Sequence, residues 1–73
     1  MKVAIRLDPS EKAITSISVN ESPAEYVEGG SPDNRARRLE DSDKNSWYFN
    51  ENIRTVFVKV FDAAKLRVRV TYQ

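Results

Sequence analysis

SWYFNENIRTVFVKVF, residues 46–61, is the stretch that decides the fold. Trp47-Tyr48-Phe49 is an aromatic run of the kind that favours strands. Asn50-Glu51-Asn52 reads as a tight turn, because asparagine tolerates left-handed backbone angles. Ile53 to Phe61 follows as the longest strand, with Val56, Val58 and Val60 on one face and Phe57 and Phe61 on the other. A strand apolar on both faces belongs in the middle of a sheet that is covered twice. By the same alternation Trp47 and Phe49 share one face, expected in the core, and Tyr48 takes the opposite one.

Outward from this hairpin the two-residue period persists. Towards the N-terminus, Val3, Ile5 and Leu7 alternate with Lys2, Ala4 and Arg6, the pattern of a half-buried strand. Asp8-Pro9-Ser10-Glu11-Lys12 reads as a turn. Ala13 to Val19 is a second strand with Ile17 and Val19 on one face. Asn20-Glu21-Ser22-Pro23 is the next reversal, and Tyr26-Val27 is expected to pair back as a short hairpin strand. Towards the C-terminus, Asp62-Ala63-Ala64-Lys65 turns the chain. Leu66, Val68, Val70 and Tyr72 then alternate with Arg67, Arg69 and Thr71. Leu66, Val68 and Val70 are expected in the core, with Arg67 and Arg69 wet.

Residues 28–46 break the pattern. They hold Gly29-Gly30, Pro32, three arginines and several acids, with Ala36 and Leu39 as their apolar residues. This predicts a long polar loop with at most a helical turn near Asn34 to Leu39, capped by Asp33 or Asn34. The fold class is therefore all-β: a small antiparallel β-sandwich or partly open barrel of five to six strands with one long loop. The chain of 73 residues is read as one domain, excised from a larger protein.

Composition narrows the chemistry. There is no cysteine and no histidine, so no disulfide or thiolate metal site forms and the commonest general base is missing. Ordering the chain costs on the order of 100 kcal/mol of conformational entropy, all of it to be offset by packing and sheet hydrogen bonds. A net charge of +1 is not that of a nucleic-acid binder. The longest apolar stretches are too short for a membrane-spanning helix, and the strand-like start is not expected to be a secretory signal, which leaves the compartment open.

The acids, Asp8, Glu11, Glu21, Glu25, Glu28, Glu40, Asp41, Asp43, Glu51 and Asp62, fall in predicted turns and loops. Solvated carboxylates belong there, so no catalytic pair is read and the chain is expected not to be an enzyme. No cofactor is implied. Glu40, Asp41, Asp43 and Asp33 lack the spacing of an EF-hand calcium loop. Among aromatics, Tyr48 is the first candidate for an exposed binding platform and Tyr26 the second, since flat rings stack on sugars and bases. Two basic groups, Arg35, Arg37 and Arg38 in the loop and Lys65, Arg67 and Arg69 near the C-terminus, are candidate phosphate contacts. The plainer role of such residues is to discourage edge-to-edge aggregation.

Taken as a whole, VAIRL (residues 3–7), ITSISVN (14–20), SWYFNENIRTVFVKV (46–60) and KLRVRVTY (65–72) resemble the small C-terminal β domains that follow the catalytic barrel in glycoside hydrolases, most nearly the family 31 α-glucosidase type. That family shows a V-x-V-N-G hairpin and a W-x-Y segment leading to L-x-V-x-V. Glu21 stands where the family pattern has glycine. The resemblance implies a non-catalytic domain that packs on a neighbouring catalytic domain or weakly contacts glycan. The alternatives are a nucleic-acid-binding barrel using Tyr48, Arg67 and Arg69, and a protein-interaction module without a small ligand.

Overall fold

The computed structural model describes residues 1–7, 14–61 and 66–72. The predicted turns at Asp8–Lys12 and Asp62–Lys65, and the candidate Lys65, lie outside the described residues. Seven strands and one helix are present among those described: β1 (Lys2–Arg6), β2 (Ile14–Val19), β3 (Ser22–Pro23), β4 (Glu25–Tyr26), α1 (Pro32–Asp41), β5 (Ser46–Asn50), β6 (Thr55–Lys59) and β7 (Val68–Tyr72). They form two sheets, ordered β1-β6-β5-β4 and β3-β2-β7, with no closed barrel. The fold is a small β-sandwich, as the two-residue period predicts.

The β5–β6 hairpin is its spine. Trp47 pairs with Val58, and Phe49 with Val56, so these side chains share the inner face. β1 adds Val3 opposite Val58 and Ile5 opposite Val56. Across the sandwich β2 and β7 contribute Ile17 and Val19 with Val70 and Val68 in register. Leu7, Ile17, Val19, Trp47, Val56, Val58 and Val60 make the core, and the half-buried Val68, Val70 and Phe49 pack on it. Leu66 was expected there too, but it is exposed, because β7 begins two residues later. Phe61 likewise projects beyond the end of β6 and is exposed. The β5–β6 turn runs to Arg54, whose φ of 49° is left-handed, so Ile53 is a turn residue rather than the first of the strand.

The β2–β3 reversal is a two-residue turn with Val19 opposite Ser22. Asn20 and Glu21 both take positive φ, 51° and 72°, the pattern of a type I′ hairpin that matches strand twist. Asn20 accepts this at little cost and bonds the start of β7 twice, its N–H donating to Arg67 O and its Oδ1 accepting from Arg67 N–H, each at 2.8 Å. Glu21 has a Cβ where glycine fits better. The expected hairpin at Tyr26-Val27 is absent. Glu25 and Tyr26 instead pair in parallel with Ser46 and Trp47, and Val27 N–H donates to Trp47 O.

The predicted long loop contains the ten-residue helix α1. Its cap is Ser31, whose hydroxyl accepts from Asn34 N–H, rather than Asp33 or Asn34. Pro32 follows at the first helical turn and Asp33 sits where the helix dipole favours an anion. Arg35 and Leu39, one turn apart, are buried, so the helix lies on the outer face of the four-stranded sheet. That placement overturns the expectation that Tyr48 is exposed: it is 4% exposed, its ring stacked on Phe57 at 5.2 Å and capped by the Arg35 guanidinium at 5.8 Å.

Two expected outcomes test this architecture. Tyr48→Ala removes the anchor of the helix layer and is predicted to cost about 3 kcal/mol in urea unfolding; a loss below about 1 kcal/mol would contradict the packing. Glu21→Gly is predicted to gain about 1 kcal/mol by relieving the left-handed backbone. The exposed Glu21–Arg67 pair at 3.9 Å that it removes contributes little.

Candidate functional site

The sequence-predicted platform residues do not gather at one place. Tyr48 is sealed under α1. Tyr26 is 48% exposed and lies on the other side of β5, its ring centroid 4.5 Å from that of Trp47 at an interplanar angle of 37°. The parallel β4–β5 pairing sets this contact, because it places Tyr26 directly beside Trp47. Ala24 ties the short β3–β4 passage to the opposite sheet by donating its N–H to Ile17 O at 2.9 Å.

Between the sheets, on the side of these two short strands, lies a cleft of about 570 Å³. Its walls are largely apolar: Ile14 and Ile17 from β2 face Tyr26, Trp47 and Phe49 from the other sheet. Arg54 completes the lining, its guanidinium 5.9 Å from the centre of the Phe49 ring. The turn that carries Arg54 is held by Asn50 Oδ1 accepting from Asn52 N–H, Thr55 Oγ1 donating to Ile53 O, and Leu7 N–H donating to Arg54 O. Concave, mostly apolar sites with one or two polar groups are the usual form of a small-ligand site.

Arg67 and Arg69 are exposed and lie on the outer face of the three-stranded sheet, where they line a separate shallow groove with Ser18 and Glu21. The combination of Tyr48 with Arg67 and Arg69, on which a nucleic-acid surface would rest, is therefore not assembled. Tyr48 belongs to the other sheet and faces the helix. Of the loop arginines, Arg35 is structural, donating to Phe49 O at 3.0 Å and to both Glu51 carboxylate oxygens at 3.2 and 3.0 Å. Arg38 donates to Gly29 O, which closes the approach to α1.

Comparison with known protein families, with curated proteins and with solved structures finds no match. The resemblance to a glycoside hydrolase accessory domain thus stands on the strand pattern alone.

The acids remain dispersed. Every described Asp and Glu is exposed, and no group of three or more acidic residues that would hold a metal occurs among the described residues. Asp8, Glu11 and Asp62 lie outside them. The two perturbed carboxyls are both held below their ordinary value. Lys2, bonded to Glu40, is the main cause there; for Glu51 it is its own backbone N–H, with Arg35 second. Burial raises the Tyr48 hydroxyl above its ordinary value, which keeps it neutral.

What sequence reading missed here is the Tyr26–Trp47 contact. The only signal was Tyr26 itself, because parallel pairing of two short segments, Glu25 with Ser46 and Tyr26 with Trp47, leaves no periodic trace. The electrostatics give an expected pH response. Lowered carboxyl values mean that the Glu40 and Glu51 contribution is complete above their ordinary value of 4.5 and is lost as pH falls through the lowered values. Acid titration followed by near-ultraviolet circular dichroism is predicted to show this loss, and Glu51→Gln to flatten the acid limb. An unchanged limb in that variant would contradict the Arg35–Glu51 link.

Proposed function

We propose that this chain is a non-catalytic accessory domain of a carbohydrate-active protein, contacting glycan at the mouth of the inter-sheet cleft. The observation that carries the reading is Tyr26, half exposed and backed by Trp47 beside an apolar hollow. A pyranose ring presents a flat patch of C–H groups, and an aromatic ring held rigidly at a rim is the surface on which such a patch stacks. The described carboxylates are exposed and dispersed, and the two with shifted values, Glu40 and Glu51, are lowered. Among the described residues they supply neither a raised general acid nor a paired nucleophile, which supports a binding role over glycoside hydrolysis. The absence of histidine and cysteine points the same way.

Titration of the chain with α-glucans, followed by tryptophan fluorescence, tests the proposal. Weak binding with little salt dependence is expected, because no charge pair carries it. Tyr26→Ala is predicted to abolish the fluorescence response and leave the thermal midpoint nearly unchanged, whereas Trp47→Ala is predicted to cost roughly 3–5 kcal/mol of stability. Single-stranded oligonucleotide titrated at two salt concentrations is the control. Tight, salt-sensitive binding there would overturn the glycan reading, and absence of binding to either probe would leave a protein-interaction module.

A further inference from the structure

The three-stranded sheet ends on β7, and its free edge has a specific chemistry. Asn20 and Arg67 exchange hydrogen bonds, so the antiparallel alternation turns the backbone of Arg67, Arg69 and Thr71 towards β2. Thr15 Oγ1 donating to Thr71 O agrees with that sense. The N–H and C=O groups of Val68 and Val70 therefore point outward along the open edge. Their side chains face the core but are only half-buried, and among the described residues no strand lies beyond them in the sheet. On the outer face, among the described residues, the one ion pair of Arg67 is with Glu21, at 3.9 Å and with both side chains largely exposed, and Arg69 makes none.

We infer that the β7 edge docks an extended segment of another protein in which acidic residues alternate with apolar ones. Strand addition satisfies the outward backbone groups of Val68 and Val70. The apolar residues of the incoming strand fall on the inner face and complete the cover over the two valines. Its acidic residues fall on the outer face, opposite Arg67 and Arg69, where opposite charges across a ladder are favourable. A second copy of this chain is a poor occupant. Pairing β7 with β7 would crowd the arginines of both copies onto one face of the ladder, and like charges there are destabilising. The other outer edge, β1, offers a weaker match, because Lys2 is already bonded to Glu40 and Arg6 is left as its single available cation. This inference is independent of what the inter-sheet cleft binds.

Two synthetic heptapeptides, one alternating valine with glutamate and one alternating valine with lysine, are titrated into the isotope-labelled full chain and followed by amide shifts and hydrogen exchange. The glutamate peptide is expected to bind in preference, to shift the amides of Val68 and Val70, and to slow their exchange. Arg69→Glu is expected to reverse the preference towards the lysine peptide. Val70→Pro removes an outward N–H without taking a bond from the β2 ladder, and is expected to abolish binding of either peptide. Equal binding of both peptides, no binding, shifts centred on Val3 and Ile5 of β1, or concentration-dependent dimerisation through β7 in the absence of peptide would each overturn the inference. Should Val70→Pro fail to fold, the charge reversal at Arg69 decides alone.

Discussion

The structure depends on covering the β5–β6 ladder on both faces. Its inner face carries Trp47, Phe49, Val56 and Val58, and its outer face Tyr48 and Phe57. Either face left in water forfeits the burial of large side chains, each contributing on the order of 2 kcal/mol. A chain this small has one sheet to spare, and β3-β2-β7 covers the inner face. The outer face is left to α1, whose buried side chains are Leu39 and Arg35. A buried arginine is tolerable there because its charge is answered by Glu51, Phe49 O and the Tyr48 ring.

The same constraint explains an awkward pair. Lys2 and Lys59 stand directly opposite each other on β1 and β6, which alone is repulsive. The C-terminal end of α1 lies over them. Glu40 takes Lys2 through its carboxylate, and Lys59 donates to Glu40 O and, at 2.7 Å, to Ser42 O. Lys59 thus satisfies carbonyls at the end of the helix while Lys2 pairs with a carboxylate of its last turn, and the helix dipole favours both cations. The sheet anchors the helix at Arg35 near one end and at Lys59 near the other.

Where cover runs out, a hollow and an open margin are left. β3 and β4 are two residues each, so on their side the two sheets leave an aromatic-walled cleft between them. On the opposite margin of the smaller sheet β7 is the edge strand among the described residues. Both features follow from fitting the seven described strands and a helix into so short a chain.

The five longer strands of this protein, most of their inward residues and the polar face of β7 were legible in the sequence, because side chains alternate across a strand and burial imprints that period directly; the two-residue strands β3 and β4 were not. Val56, Val58, Ile17 and Val19 are where alternation puts them. The helix carried its own signal in Ser31-Pro32-Asp33, a cap, a first-turn proline and a first-turn acid, but with Ala36 and Leu39 its only apolar residues it has too narrow a stripe to announce itself. Its buried face is completed by an arginine, whose burial depends on Glu51 and Phe49 from another element. Which tyrosine is exposed was a tertiary decision. Alternation says that Tyr48 opposes Trp47, but not that a helix from residues 32–41 lies over it, nor that a parallel two-residue strand carries Tyr26 to the Trp47 ring. Period fixes the face on which a side chain stands; what covers that face is set by contacts between segments distant in the chain, and these leave no period to read.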